Sequence, residues 1–156
     1  MMQTEPDATN CKVAVGRSGP KRLVVESAST FYGEAQALKE VSLEVRAREV
    51  VGILGSNGAG KTTLLRTITG LLAPRSGKIL FDNEQIGGRP AHEIIKKGIA
   101  SVPEGRELFG PMTVGENLDL GTYSLSSRSR KNVQASRLEM VFSLFPILRE
   151  RLKQKA

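Results

Sequence analysis

The sequence contains no Trp and few aromatic residues of any kind, with two Tyr and five Phe among 156 residues. We therefore expect its core to be aliphatic. The single cysteine, Cys11, excludes an intrachain disulfide and is typical of a reducing compartment. The single histidine, His92, falls on the first turn of a predicted helix, where we expect it to be solvated and to have no role.

Long apolar runs are missing as well. No run approaches the roughly 18 residues of a membrane span, and the N-terminus lacks the hydrophobic core of a signal peptide. These two absences predict a cytoplasmic chain. Its length is sufficient for one domain with a single core.

Positive charge is concentrated in the C-terminal quarter. Residues 1–119 contain 15 Lys and Arg against 14 Asp and Glu, a net of +1, whereas residues 120–156 contain 8 against 2, a net of +6. That quarter has one Tyr and no base-stacking platform beyond the Phe residues of its predicted core, which disfavours nucleic-acid binding. We therefore expect no nucleic-acid partner.

The most informative stretch is the glycine-rich segment 55–62, which matches G-x-x-x-x-G-K-[ST] at every fixed position. A predicted buried strand over Glu49–Leu54 precedes it, and a periodic helical segment over Lys61–Leu71 follows. Amide groups of the loop and of the helix start would form a nest for phosphate oxygens. Lys61 would then contact the β- and γ-phosphates, and the Thr62 hydroxyl would bind Mg²⁺. The alternative, an ordinary glycine-rich turn before a helix, is disfavoured by the gapless match and by the flanking elements.

Tyr32 lies beside Gly33, between strands predicted over Arg22–Phe31 and Val41–Val45. In a loop leading to a phosphate site, the Tyr32 ring could stack on a nucleotide base. Alternatively, it is a hairpin aromatic that covers the edge of the sheet, and spacing alone favours this second interpretation. The two strands predict a small antiparallel layer against the nucleotide core.

Asp82 ends a strand predicted over Lys78–Phe81, and so resembles the Mg²⁺-binding acid of phosphate-loop enzymes. Asn83 follows in place of the catalytic Glu, in a turn-forming context, so a hairpin turn is favoured. Next come a helix predicted over Pro90–Gly98 and a short buried strand predicted over Ile99–Val102.

Glu104 follows the strand predicted over Ile99–Val102, at the sheet edge where open α/β proteins bind ligands. Its carboxylate could reach Mg²⁺ directly or through water, or it could be a solvated loop acid; position alone leaves both open.

Farther on, Thr113 and Glu116 have capping-box spacing and predict the start of a helix. A polar, basic connector over residues 124–132 and an amphipathic helix over Val133–Phe145 are predicted after it.

With these motifs, the chain resembles the nucleotide-binding subunit of ATP-binding-cassette (ABC) transporters, in particular the ATPase of branched-chain amino acid importers. Tyr32-Gly33 is similar to the family's adenine-stacking loop, and the segment 55–63 to its phosphate loop. The segment 102–106 is similar to a loop that usually carries a Gln near Mg²⁺, and Glu104 in that place is similar to the branched-chain subgroup. The resemblance implies ATP and Mg²⁺ as cofactors. It implies nucleotide binding by Tyr32, Gly55, Ser56, Asn57, Gly58, Ala59, Gly60, Lys61, Thr62 and Thr63, and metal binding by Thr62 and Glu104.

The fold implied by the resemblance is α/β: a partial P-loop NTPase (ABC ATPase) fold with an N-terminal antiparallel β layer and the start of a helical subdomain. We expect a disordered extension over residues 1–21, a nucleotide-binding core over 22–112 and the beginning of a helical subdomain over 113–156. The family's signature Leu-Ser-Gly-Gly segment, its acidic strand with the catalytic Glu and its switch His do not occur in this sequence. We therefore expect a chain truncated before the signature, with no catalytic residue to assign.

The function implied by the resemblance is that of an ATP-binding subunit of an importer, which couples ATP binding and hydrolysis to a permease. Such a subunit is peripheral to the inner face of the plasma membrane and works with membrane permease subunits and a second ATP-binding subunit. A non-hydrolysing nucleotide-binding module is the alternative, because none of the residues identified above activates water. A small-molecule kinase is disfavoured, since the sequence shows no lid or acceptor site.

Overall fold

The computed structural model describes residues 12–14, 19–105, 107–122 and 127–156 of the chain. The chain divides into two compact units, Met1–Ile99 and Ala100–Ala156. This division falls earlier than the boundary predicted after residue 112. The assignment of a nucleotide-binding core and a helical subdomain stays a prediction.

Strands dominate the first unit and helices the second. In chain order the strands are β1 (Lys12–Ala14), β2 (Lys21–Tyr32), β3 (Ala35–Arg46), β4 (Gly52–Leu54), β5 (Ser76–Phe81) and β6 (Glu84–Gln85). The helices are α1 (Lys61–Ile68), α2 (Ala91–Lys96), α3 (Val114–Leu120), α4 (Ser127–Leu144) and α5 (Pro146–Glu150). Over the described ranges, no helix combines the length and the apolar character that crossing a bilayer requires.

The antiparallel layer predicted from the sequence is confirmed as a four-stranded sheet in the order β3-β2-β5-β6. Both strands of its long hairpin, β2 and β3, extend beyond the predicted ranges and meet at the pair Tyr32↔Ala35. The turn between them uses Gly33, whose φ of +59° is a left-handed value that glycine adopts without steric penalty. This hairpin places Tyr32 at one tip of the sheet.

The core of the first unit is aliphatic among the described residues, as the composition predicts. It contains Val25, Ala28, Leu38, Leu43, Leu64, Ile68, Ile79, Ile86 and Ile94. Leu64 and Ile68 come from α1, so burying them packs that helix against the sheet. Full burial of such a side chain contributes about 1.5–3 kcal/mol, so this contact stabilises the position of α1 on the sheet.

Helix α1 ends at Ile68, three residues short of the predicted Leu71, because Gly70 takes a φ of +76°. The Leu71 N–H donates to Arg66 O at 2.9 Å and the Gly70 N–H to Thr67 O at 3.4 Å, the pattern of a Schellman cap. A Cβ at Gly70 would lie 2.5 Å from the Arg89 carbonyl oxygen. Both the backbone conformation and the space therefore require glycine here.

Strand β4 is shorter and more exposed than the buried strand predicted over Glu49–Leu54. Val50 is 92% exposed and Leu54 65% exposed, so the prediction of burial is wrong. A strand is buried on both faces only where it is flanked and covered, and within the described ranges β4 pairs with β1 alone. That partner, Lys12–Ala14, lies in the extension predicted to be disordered over residues 1–21. The disorder stays a prediction, and residues 1–11 and 15–18 lie outside the described ranges.

The hairpin turn predicted at Asp82 and Asn83 is confirmed. Both residues have left-handed φ values, 48° and 65°, and Phe81 pairs with Glu84 across them, as in a type I′ turn. Asp82 also forms an ion pair with Arg22 Nε at 2.7 Å. Its carboxylate therefore belongs to a surface turn and not to a metal-binding strand.

The segment that follows α2 does not form the predicted strand. Helix α2 itself is confirmed inside the range Pro90–Gly98, but no strand occurs over Ile99–Val102. Val102 is 96% exposed. A short apolar run becomes a strand only when a neighbouring strand takes its backbone hydrogen bonds, and the described residues supply no such neighbour.

The second unit begins its helical part at a capping box, as predicted. Glu116 N–H donates to Thr113 Oγ1 at 3.2 Å, and Thr113 N–H donates to the Glu116 carboxylate at 2.7 Å. The C-terminal segment returns to this point, where Val114 N–H donates to Gln154 O at 2.8 Å. The connector predicted over residues 124–132 is wrong from Ser127 onward, where α4 has begun; residues 123–126 lie outside the described ranges.

Candidate functional site

The loop between β4 and α1 has a backbone that only glycine adopts easily. Gly58 and Gly60 have φ values of +86° and +87°. A Cβ added at Gly60 would lie 2.7 Å from Leu38 Cδ2 and 3.0 Å from the Ala37 carbonyl oxygen. A Cβ added at Gly58 would meet nothing within 4 Å. Gly60 therefore serves close packing on β3, whereas Gly58 borders open space that a ligand can enter.

Helix α1 starts directly after this loop, and its first amides are not used within the helix. Its first helical bond runs from Leu64 N–H to Gly60 O at 2.8 Å. The N–H groups of Lys61, Thr62 and Thr63 precede that bond, and none of them donates to another residue in the part of the chain that the structure describes. Because these amides lie at the positive end of the helix dipole, they favour an anion such as phosphate.

The Lys61 ammonium folds over the loop and bonds two of its carbonyl groups. Lys61 Nζ donates to Gly55 O at 2.8 Å and to Ser56 O at 2.7 Å. Ser56 O also accepts from Ala59 N–H at 3.2 Å, which closes the turn that contains Asn57. An ammonium group has three donors, so one donor is left for a phosphate oxygen. These bonds hold the Lys61 ammonium over the loop.

Two successive threonines on the first turn of α1 have opposite surroundings. Thr62 is exposed, so its hydroxyl is accessible to a metal ion, which suits the preference of Mg²⁺ for oxygen ligands. Thr63 is buried, and its carbonyl accepts from Thr67 Oγ1 at 2.8 Å. Thr67 Oγ1 also lies 3.1 Å from Thr30 Oγ1 in the core, which ties α1 to β2. Loop amides, Lys61 and Thr62 together fit a triphosphate with its Mg²⁺.

Tyr32 lies against α1, beside the glycine loop. Its side chain is 44% exposed, and Arg66 Nη1 lies 3.5 Å from its hydroxyl oxygen. Hydrogen bonds from Thr63 and Arg66 lower the pKa of the Tyr32 hydroxyl below its ordinary value of 10.0. The structure therefore brings Tyr32 and the segment 55–63 together in one unit, while the stacking role of Tyr32 stays a prediction.

Two arginines near Tyr32 were not identified from the sequence. Arg66 contacts the Tyr32 hydroxyl, and Arg75 Nη2 donates to Gly33 O at 2.9 Å. The Arg75 guanidinium also lies 3.9 Å from the centre of the Phe31 ring. Arg75 is 42 positions from Gly33, so no local pattern in the sequence signals the contact.

Glu104 belongs to the second unit, where it occupies an exposed turn. Its proposed role near the metal, like that of Thr62, stays a prediction. The neighbouring Arg106, part of the same family motif, lies outside the described residues.

Comparison with curated proteins agrees with the predicted relationship. The chain is 43% identical over 134 residues to the high-affinity branched-chain amino acid transport ATP-binding protein BraG of Pseudomonas aeruginosa, a match that covers 86% of this chain and 56% of BraG. It is 33% identical over 125 residues to the probable branched-chain amino acid transport ATP-binding protein LivF of Archaeoglobus fulgidus, a match that covers 80% of this chain and 51% of LivF. The lipopolysaccharide export system ATP-binding protein LptB of Haemophilus influenzae is 40% identical over 96 residues, a match that covers 62% of this chain and 40% of LptB.

Solved structures show the same fold. An ATP-binding cassette of an ABC transporter, MJ1267, superimposes with a TM-score of 0.63 at 27% identity, covering 87% of this chain and 58% of that one. An ATP-binding subunit of another ABC transporter gives 0.65 at 25% identity, covering 86% and 54%. The chain therefore spans about half the length of the relatives it matches. The partial P-loop NTPase fold predicted from the sequence is confirmed.

A profile of the ABC transporter family matches residues 38–156, which include the glycine loop and α1. The match covers most of the chain and coincides with the residues whose geometry suits a triphosphate. Together with the branched-chain relatives, this match shows that the chain belongs to the ABC transporter family and resembles its branched-chain amino acid ATP-binding proteins.

Proposed function

We propose that this chain is part of the ATP-binding subunit of an ABC importer and that its glycine loop, residues 55–63, binds the triphosphate of ATP with Mg²⁺. The loop geometry is the single observation that carries the proposal: the first amides of α1 have no acceptor among the described residues, the Lys61 ammonium bonds two carbonyl groups of the loop, and a Cβ on Gly58 would meet open space. Such a cluster of donors at a helix start favours a phosphate group.

Each site residue has a separate task in this proposal. Lys61 and the amides of segment 55–63 bind phosphate oxygens, Tyr32 stacks on adenine, and Thr62 and Glu104 bind Mg²⁺. A bound Mg²⁺ supplies positive charge against the phosphates. The residues of the chain itself bind and orient the nucleotide.

We further propose branched-chain amino acids as the solute class. The names of BraG and LivF support this class, and BraG is the relative with the longer and stronger match. LptB, whose name refers to lipopolysaccharide export, matches a shorter segment. Since one nucleotide-binding fold serves transporters of different cargo, the solute class depends on similarity and not on the loop.

The partners we propose are membrane permease subunits and a second ATP-binding subunit, at the cytoplasmic inner face of the membrane. The transport systems named for the relatives support this arrangement. An alternative is a module that binds ATP without hydrolysing it, because the site residues described above contact phosphate, base or metal and none activates water.

The first prediction concerns Lys61. In equilibrium titration of the 156-residue chain with labelled MgATP, Lys61→Ala should weaken binding about tenfold or more, because it removes a charge-assisted hydrogen bond to phosphate. Lys78→Ala is the matched control, since Lys78 is an exposed lysine on β5 of the same unit, and its affinity should equal that of the parent chain.

Full affinity in the Lys61→Ala chain would overturn the proposed nucleotide site. Phosphate release by the purified chain separates the two candidate functions. Turnover that Lys61→Ala abolishes supports an ATPase, whereas tight MgATP binding with no released phosphate supports the non-hydrolysing module.

A further inference from the structure

We propose that Arg75 is a positioning residue that holds the tip of the β2–β3 hairpin, and with it Tyr32, in the orientation needed to stack on a nucleotide base. The inference rests on the proposed function, because it requires a base at Tyr32. It assigns a task to a residue outside the glycine loop, on a segment that touches no phosphate group in the proposal.

The backbone of Arg75 is fixed to strand β2. Arg75 lies immediately before β5, and its N–H donates to Ser29 O at 2.8 Å. The next residue, Ser76, pairs with the same Ser29. The position of Arg75 relative to β2 is therefore set by the sheet, so its side chain starts from a fixed point.

From that point the side chain runs along β2 to the hairpin turn. The guanidinium lies 3.9 Å from the centre of the Phe31 ring and donates to Gly33 O at 2.9 Å. One planar group thus contacts the residue before Tyr32 by a cation–π interaction and the residue after it by a hydrogen bond. Tyr32 lies between these two contacts in the sequence.

Tyr32 is held from its other side by α1. Successive residues of a strand point to opposite faces, so Phe31 and Tyr32 face opposite ways. Arg75 contacts the Phe31 face, and Arg66 lies 3.5 Å from the Tyr32 hydroxyl on the α1 face. Without Arg75 the turn loses the contact on one face, and the Tyr32 ring would sample more orientations.

Loss of this contact should weaken the binding of the base and leave the binding of the phosphates unchanged. Stacking requires a defined ring plane, whereas the loop amides and Lys61 are fixed by α1 and by bonds within the loop. Arg22 provides a matched control at the opposite end of β2. Its guanidinium lies 5.2 Å from the centre of the Phe81 ring, and Leu23 pairs with Phe81 there.

The experiment measures affinities of the 156-residue chain for MgATP and for inorganic triphosphate with Mg²⁺. Arg75→Ala should weaken MgATP binding by about three- to tenfold, the size expected of an exposed cation–π contact with a hydrogen bond, and leave triphosphate binding unchanged. Arg75→Lys, which keeps the charge but not the planar fork, should fall between the parent chain and Arg75→Ala. Arg22→Ala should change neither affinity.

Tyr32→Ala distinguishes failure of this inference from failure of the proposed function. If Tyr32→Ala weakens MgATP binding selectively but Arg75→Ala does not, the role of Arg75 is wrong and the base site stands. If Tyr32→Ala leaves MgATP binding unchanged, the base site itself is wrong. The inference is also overturned if Arg75→Ala weakens the binding of MgATP and of triphosphate equally. It is likewise overturned if Arg75→Ala fails to fold while Arg75→Lys binds MgATP as tightly as the parent chain.

Discussion

Gly58 and Gly60 have nearly the same backbone conformation and different surroundings, so they separate two effects of adding a side chain. At both positions a Cβ costs about 1–2 kcal/mol for the left-handed conformation. At Gly60 alone it would also lie 2.7 Å from Leu38 Cδ2 and 3.0 Å from the Ala37 carbonyl oxygen, both in β3. The difference between the two substitutions measures how closely the loop packs on that strand.

We predict that Gly58→Ala lowers the free energy of unfolding by about 1–2 kcal/mol, from backbone strain alone. Gly60→Ala should lower it by about 1–3 kcal/mol more, because the added Cβ would crowd the buried Leu38 side chain and the Ala37 carbonyl oxygen, so that Leu38 or the loop must shift. Urea denaturation of both variants beside the parent chain tests this order. Equal losses in the two variants would show that Gly60 has no packing role.

At the scale of single elements, helix α3 depends on its capping box. Thr113 and Glu116 bond each other's backbone N–H groups, which have no partner inside the helix. The hydrogen bonds from the Thr113 backbone and hydroxyl also lower the pKa of the Glu116 carboxyl below its usual range. The stabilisation from Glu116 is therefore complete above its unfolded pKa and is lost as the pH falls through the lower folded value.

We predict that Thr113→Ala lowers the free energy of unfolding by about 1 kcal/mol, the usual size of a lost N-cap. Thr122→Ala is the control at the other end of α3, where the hydroxyl donates to Asp119 O and caps no amide; it should cost less. Urea denaturation at neutral pH and below pH 4.5 measures the free energy of unfolding of the parent chain and of Thr113→Ala. The difference between the two free energies should be smaller in acid. A difference that is independent of pH would contradict a contribution from the hydrogen bond that the Thr113 hydroxyl donates to the Glu116 carboxylate.

Elements encoded by neighbouring residues were predictable, and elements that need a distant partner were not. The turn at Asp82 and Asn83 and the capping box at Thr113 follow from side-chain chemistry within four residues, and both are confirmed. The strands predicted over Glu49–Leu54 and Ile99–Val102 depend on neighbouring strands that sequence patterns do not locate. The first segment forms a strand that is not buried as predicted, and the second forms no strand. In the site, the glycine pattern located the loop, but the contact of Arg75 with Gly33 joins positions too far apart for any local pattern.

At the scale of the whole molecule, the described surface includes large apolar side chains that no described element covers. Val50, Leu54 and Leu71 of the first unit are all exposed. Within the described ranges β4 has β1 as its one partner, which leaves its other edge without a strand. Exposed apolar groups and open strand edges both favour association between molecules.

We predict that the 156-residue chain associates with itself as its concentration rises, because this apolar surface is removed from water by contact. Replacing Val50 and Leu71 together by Ser should weaken the association, whereas Lys39→Ser, at an exposed polar position of β3, should not. Sedimentation velocity over a range of concentrations measures the effect. A parent chain that sediments as a monomer throughout would contradict this interpretation of the surface.

The scarcity of aromatic residues also determines which residues give this protein its intrinsic fluorescence. Since the chain has no Trp, its intrinsic fluorescence comes mainly from its two tyrosines. Of the two tyrosines, Tyr32 stands at the proposed base site, half exposed. With Tyr123 replaced by Phe, the emission of the molecule would come from Tyr32 alone and would report on nucleotide arrival without any attached dye.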